Sequence, residues 1–311
     1  MTKVLVATEK PFATAAVEEI GGIFKDAGYN CTFFEKYNGQ DELIDAVKDA
    51  EAMIVRSDKI TPEVIDAATK LKIVVRAGAG FDNVNLEAAT KNDVVVMNTP
   101  GQNSNAVAEL AMGMMVYQAR NHFNGTSGTE LCCKKLGIHA YGNVGKLVAK
   151  IAKGFGMEVY AFDPFVAKDA IEADGVKVTD TVEELYSTCD YISLHIPANQ
   201  HTFKSINYEL LSRMKAGATL VNTARKEVIN EDDMLKIFAE YNKFKYLSDI
   251  APDNKDILLN NYSDRCFFTP KKMGAQTAEA NINAGKAAAH QIIGFIEEGN
   301  TTFKVNLNLI G

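Results

Sequence analysis

Two adjacent lysines, Lys271 and Lys272, stand at a Thr-Pro corner in the stretch TPKKMGAQT, just past the apolar run CFF. An ammonium at the end of a strand is either solvated surface charge or an acid/base presented to a substrate. A second cation, Arg225, directly follows another apolar run, ATLVNTA. A guanidinium placed there can grip a carboxylate with two parallel hydrogen bonds or polarise a carbonyl oxygen. The competing reading of Arg225 is an ion pair with Glu227 or another acid.

A third chemical element lies mid-chain, in KLGIHAYGNVGKLVAKIAKGFGMEVYAFD. A strand runs into the turn YGNVG, a helix follows over about residues 144–153, and a second strand stops at Asp163. The glycine frame is Ala140-x-Gly142-x-x-Gly145, with an acid about twenty residues on, as in a dinucleotide fingerprint. Gly142 lets backbone approach a pyrophosphate and Gly145 lets helix and strand pack. The helix N-terminus turns free N–H groups, from Asn143 and Val144 onward, toward the phosphates. Alanine at the first position, next to Tyr141, departs from the pattern, because a Cβ makes positive φ costly. The alternative is a tight turn that binds nothing. Asp163 can accept from a ribose 2′-hydroxyl and would repel a 2′-phosphate, which favours NAD over NADP. His139 and His195 lie within strands and read as packing residues, His195 with backbone beside the cofactor.

The N-terminal region holds its own cationic group: Arg56, Ser57 and Lys59 after AMIV, and Arg76 after KIVV. Ala77-Gly78-Ala79-Gly80 offers successive backbone N–H groups, the makings of an anion nest. In a chain of net charge −7, this local positive grouping suggests a substrate with more than one negative charge. The bland alternative makes the arginines structural.

The elements that must position these groups alternate. Strand-like runs (KVLVAT, CTFFE, AMIVRS, KIVVRA, VVVMNT, then KLGIHA, EVYAFD, YISLHI, ATLVNTA, KYLSDI and CFFTP) are separated by amphipathic helical segments. Such alternation predicts α/β architecture with parallel sheets covered on both faces. In an open parallel sheet, ligands bind at the carboxyl ends of the strands. The residues ending at Pro197, Arg225, Asp249 and Lys272 would then share an edge with Gly142 and Asp163. The negative charge argues against nucleic acid. No run of about 18 apolar residues suggests a membrane span, and the N-terminus reads as neither signal nor transit peptide. Five scattered cysteines form no CxxC or Cys/His cluster, which fits a reducing cytoplasm and no bound metal.

Several stretches together resemble the D-isomer-specific 2-hydroxyacid dehydrogenases: VRS at 55–57, RAGAGFDNV at 76–84, NTPGQNSNAVAEL at 98–110, LGIHAYGNVG at 136–145, LHIPANQHT at 194–202, VNTARKEVINEDDM at 221–234 and TPKKMGAQTAEA at 269–280. The resemblance implies two doubly wound parallel-sheet domains. A Rossmann-type NAD domain, residues 99–281, is inserted in a discontinuous flavodoxin-like substrate domain, residues 1–98 plus 282–311. It implies that Arg225 binds and polarises the 2-oxo acid, that the Ala77–Gly80 loop holds its carboxylate, and that Arg56 with Ser57 meets a phosphate. Asn222, Asp249 and the turn of His195, Ile196 and Pro197 border the nicotinamide half of NAD. Thr202, Thr223 and Ala224 join the cofactor set, and Asn103 the substrate set. The activity implied is NAD-dependent oxidation of D-3-phosphoglycerate to 3-phosphohydroxypyruvate, in serine synthesis, by a homodimer joined around residues 98–129. The chain stops soon after FKVN, so no C-terminal regulatory domain and no serine feedback through one are expected. The rivals are a glycerate or hydroxypyruvate reductase, for which Arg56, Ser57 and Lys59 have no phosphate to meet, and a non-catalytic NAD(H)-sensing protein.

Two departures bear on mechanism. The family acid/base is a histidine in TPH-x-GA. Here counting back from Gly274-Ala275 reaches Lys272, and counting forward from Thr269-Pro270 reaches Lys271; Lys272 is preferred because the GA turn is the rigid anchor. The family glutamate that would orient the imidazole is replaced by Asn254, leaving Asp253 or Asp256 as candidate carboxylates. An ammonium needs no tautomer control, so losing both partners is coherent if lysine exchanges the proton. At its ordinary pKa of about 10.4, lysine is a poor base at neutral pH, and a neighbouring Arg225 should lower it.

Overall fold

The computed structural model describes residues 1–306. Twelve strands and the helices between them fall into two compact units, Met1–Asn103 with Gln276–Gly311, and Ser104–Ala275. Segments 99–103 and 276–281, expected on the cofactor side, belong to the first unit.

The first unit is built on β1 (Lys3–Thr8), β2 (Asn30–Glu35), β3 (Ala52–Val55), β4 (Ile73–Arg76) and β5 (Val95–Asn98). Their order is β2-β1-β3-β4-β5, all pairs parallel. This is the flavodoxin-like order, with its reversal at β1/β3. Central strands are buried along their length, as in Ala52–Val55, because helices cover both faces. One of these is the C-terminal helix Ala278–Glu298. It packs Ala284, Ala288, Ala289 and Ile292 into the same core as Val6, Ile20 and Phe24. Gly285 lets the helix pack closely there: a Cβ would stand 2.5 Å from Ile20 Cδ1 and force that side chain to move. The chain end thereby returns to the unit that the chain start begins.

The second unit contains β6 (Lys135–His139), β7 (Glu158–Phe162), β8 (Lys177–Val178), β9 (Tyr191–Leu194), β10 (Thr219–Asn222), β11 (Lys245–Ser248) and β12 (Cys266–Phe268). The order is β12-β11-β10-β9-β6-β7-β8, parallel throughout. Six of these strands reproduce the doubly wound dinucleotide-binding order, with the switch point at β6/β9. The two-residue β8 is too short to show a period in sequence. The stretch AVAELAMGMMVY is a buried helix, Ser104–Ala119, as its one charge in an apolar run predicts. No helix among the described residues is long and apolar enough to cross a membrane.

Candidate active site

The β6 turn is built for close approach. Ala140 sits at φ 80°, the left-handed conformation that suits glycine. A Cβ on Gly145 would come 2.4 Å from the Ala140 carbonyl oxygen, so only glycine permits this helix–strand contact. A Cβ on Gly142 would meet nothing within 4 Å, which leaves the face in front of the turn open. Gly142 caps the helix Asn143–Gly154 without a side-chain bond, so the first-turn N–H groups of Asn143, Val144 and Gly145 remain for an anion. Asp163, at the end of β7, accepts from Tyr141 N at 2.7 Å and from Phe165 N at 2.8 Å. Its carboxylate is thus pinned beside the turn, with lone pairs left for a ribose hydroxyl. The residues present fit a dinucleotide.

Histidines line the switch point as packing groups. His139 Nδ1 lies 3.2 Å from the Tyr186 hydroxyl, and His195 Nε2 lies 3.0 Å from Ser193 Oγ. Burial lowers His139 to about 4, opposed by Asp163. Burial lowers His195 to about 3, helped by His139. Both are therefore neutral bases in the fold. A base whose pKa falls on folding contributes stability that is complete above the ordinary value near 6.5 and is lost as pH falls toward 4 and 3. We expect unfolding free energy to drop by roughly 2–3 kcal/mol per histidine between pH 7 and pH 4. Denaturant titrations across that range should show the loss shrink in His139→Gln; a flat profile in the unaltered protein would contradict it. Beyond β9, Ile196 is buried and Pro197 exposed. Thr202 Oγ1 donates to the Pro197 carbonyl at 2.6 Å and closes that loop.

The catalytic candidates meet at the ends of β10, β11 and β12. Asn222 folds its own turn: its Oδ1 accepts from Ala224 N at 3.0 Å and its Nδ2 donates to the Arg225 carbonyl at 2.9 Å. The Ala224 carbonyl then accepts from Arg225 Nη1 at 2.9 Å and from Lys272 Nζ at 3.0 Å. Because both cations lie about 3 Å from one oxygen, their nitrogens are within about 6 Å of each other. Among the described residues no ion pair joins Arg225 to Glu227. Lys271 points its carbonyl at Thr269 Oγ1, 2.8 Å away, and its exposed side chain has no counterpart to the Ala224 bond.

Asp249 explains why Lys272 is the one that reaches. The fully buried carboxylate accepts from Gly274 N at 2.9 Å. A Cβ on Gly274 would stand 2.9 Å from Asp249 Oδ2. This glycine is therefore clamped, and Lys272 two residues earlier is fixed with it. Burial raises the Asp249 pKa, against Lys272, the Gly274 and Met273 N–H groups, and Arg225. The other oxygen, Oδ1, is buried with no partner, as is Thr223 Oγ1. Orphaned acceptors at a strand-end edge fit the amide end of a nicotinamide. Asp253 is instead paired with Lys226 at 2.5 Å, so it does not serve the lysine. Asp249 is the carboxyl whose pKa Lys272 pulls down against its burial. Glu231 holds the Asp253 and Asn254 N–H groups at 3.0 and 3.2 Å, a clamp that no local pattern announces.

In the first unit, Arg56 and the Ala77–Gly80 loop stand at the ends of the neighbouring strands β3 and β4. The expected run of four free N–H groups is halved. Ala77 N donates to Val55 O, continuing the ladder, and Gly78 N to Arg76 O within a tight turn, both at 2.8 Å. Ala79 and Gly80 keep theirs. Arg76 lies across the loop: a Cβ on Gly78 would fall 1.6 Å from its Nη1. Arg56 donates to the carbonyls of Lys10 and Pro11 at 3.3 and 3.1 Å and to Asn281 Oδ1, and it covers the Phe12 ring at 4.9 Å. It is therefore engaged, not extended into water. Buried Asp58 organises this corner through Glu9 N and Tyr37 Oη, both at 2.6 Å. Ser57 is exposed, and Asn103, half-buried, precedes the helix Ser104–Ala119.

Residues 107–270 match the D-isomer specific 2-hydroxyacid dehydrogenase NAD-binding domain. D-3-phosphoglycerate dehydrogenase of Methanocaldococcus jannaschii is 35% identical over 310 residues, 94% of this chain and 57% of that protein. The chain belongs to the D-isomer-specific 2-hydroxyacid dehydrogenase family. Hydroxypyruvate reductase of Thermotoga maritima is 34% identical over 264 residues, 79% of this chain and 85% of that one. The crystal structure of NAD+-bound 3-phosphoglycerate dehydrogenase of Entamoeba histolytica superposes with a TM-score of 0.88 at 45% identity, covering 99% of both chains. The chain spans little more than half the length of the first curated relatives it matches. Family membership makes NAD the cofactor of the second unit and accounts for the strand orders of both sheets.

Proposed function

We propose that this protein oxidises D-3-phosphoglycerate to 3-phosphohydroxypyruvate with NAD, in serine synthesis, as a cytoplasmic homodimer. The observation that carries the reading is the shared Ala224 carbonyl, which gathers Arg225 and Lys272 beside buried Asp249. The names of the relatives, and the 99% coverage of both chains with the Entamoeba histolytica structure, support the substrate. In the first unit, Arg56, Arg76 and the N–H groups of Ala79 and Gly80 suit an anionic substrate. The second unit holds the cofactor and carries Arg225 and Lys272.

NAD, when bound, would supply the hydride acceptor for C2. The chain supplies the rest. Arg225 holds and polarises the oxygen at C2 and the adjacent carboxylate. Lys272 Nζ accepts the hydroxyl proton in oxidation, and its ammonium returns one in reduction. Asp249 places its carboxyl beside both cations and anchors the backbone that carries the lysine.

A second reading has one observation in its favour: Arg56 already spends donors on Lys10, Pro11 and Asn281. A glycerate or hydroxypyruvate reductase would leave it so. Steady-state kinetics on phosphorylated and unphosphorylated substrates decide between the two. We expect strong preference for the phosphorylated acid, and a KM for it raised about 10–100-fold in Arg56→Ala, the worth of a charged hydrogen bond. Comparable efficiency on both substrates would defeat the phosphoglycerate reading.

A further inference from the structure

We propose that the Cys132–Cys133 turn is a vicinal dithiol modification site, closed by hydroperoxides to a disulfide within the turn and reopened by thiols. Leu131–Lys134 forms a tight turn, with Lys134 N bonded to Leu131 O at 3.1 Å, and the two cysteines occupy its central positions. Both are exposed and their sulfurs lie 3.6 Å apart. Gly156 holds the pair from below. Its carbonyl accepts from Cys133 N at 2.9 Å, and a Cβ on it would lie 3.1 Å from Cys132 Sγ. Cys133 is held at φ 61°, a conformation that non-glycine residues seldom take. The turn thus spends backbone strain while placing two thiols in contact.

The other thiols are poor rivals. Burial pushes Cys31 and Cys189 up to about 12 and Cys266 to about 11. The hydrogen bond to Cys133 pushes Cys132 up, and either sulfur can be its donor, so either can attack first. With Cys133 first, its thiol gives up its proton, the thiolate attacks a peroxide oxygen, the O–O bond breaks, and a sulfenic acid forms as the departing oxygen takes up that proton and leaves as water or an alcohol. Cys132 Sγ then attacks the sulfenic sulfur. The S–O bond breaks, the S–S bond forms, and a second water carries off the hydroxyl and the Cys132 proton. Two electrons pass from the sulfurs to the peroxide. Adjacent Cα atoms are about 3.8 Å apart across a trans peptide, shorter than disulfides prefer. The ring is therefore strained and readily reduced, as labile disulfides are.

The test uses the full chain with NAD bound. A small excess of hydrogen peroxide should remove about 2 Da, two hydrogens, reversed by dithiothreitol. Phenylarsine oxide, which bridges paired thiols, should bind one per chain and block that loss. Cys132→Ser and Cys133→Ser should gain oxygen or a thiol adduct instead, whereas Cys266→Ser should behave as the parent. Cys133→Gly suits the positive φ and serves as a well-folded turn with a single thiol, Cys132, confirmed by an undiminished melting temperature. Absence of the mass loss, or its persistence in Cys133→Gly, would overturn the proposal.

Discussion

Lys272→Ala is expected to lower kcat by about 10²–10⁴-fold, the usual contribution of a positioned acid/base, while Lys271→Ala stays within a few-fold of the parent. The contrast rests on geometry. Lys272 Nζ reaches the Ala224 carbonyl beside Arg225 because Gly274 is held by Asp249. Lys271 has no such tether. Charge and proton transfer are separable here. Lys272→Arg keeps a cation able to donate to Ala224, but a guanidinium does not give up its proton in proteins. It should be as slow in oxidation as the alanine variant. Added alkylamines should partly restore Lys272→Ala, because they supply a titratable nitrogen. NAD(H) affinity, read by fluorescence, should change little in any of the three. Full activity in Lys272→Ala would remove the lysine from the mechanism. Tight NAD(H) binding without turnover of any oxo acid by the parent would instead favour the sensing protein.

The order of strands and the glycine turn were legible because they rest on local signals: β-branched runs, amphipathic spacing, and glycines where backbones approach. The carboxyl-edge rule then pointed to Arg225, Asp249 and Lys272 together. What stayed hidden depends on partners distant in sequence. An inserted residue made Lys271 and Lys272 equivalent to any count along the chain, and only the Gly274–Asp249 bond separates them. Asp58 joins Glu9 and Tyr37, 49 and 21 residues away, and no period reports that. Arg56 was rightly placed at a strand end, yet its bonds to Lys10, Pro11 and Asn281 come from three separate segments. Half of the Ala77–Gly80 N–H groups are already engaged, one in the ladder and one in a tight turn, and glycine content reports neither bond.

Arg225→Lys should cost nearly as much as Arg225→Ala, about 10²–10³-fold in kcat/KM, or about 3–4 kcal/mol of transition-state stabilisation. The reason is shape. One Arg225 nitrogen is tied back to Ala224, which sets the plane of the guanidinium and leaves its remaining N–H groups as a fork. A lysine at 225 would place a single point charge there, unable to meet a carboxylate and a developing oxyanion together. It would also crowd a second ammonium toward Lys272. The loss should fall on both kcat and the KM for the oxo acid, because the fork acts on ground state and transition state alike, while NAD binding is spared. Asn222→Ala separates positioning from contact. It removes the bonds to Ala224 N and the Arg225 carbonyl but leaves the guanidinium in place, so it should lie between the parent and Arg225→Lys. Guanidinium ion added to Arg225→Ala should recover part of the rate. If Arg225→Lys instead keeps kcat/KM within a few-fold, the fork is not what binds the acid, and the strand-end cation is a neighbour of the site.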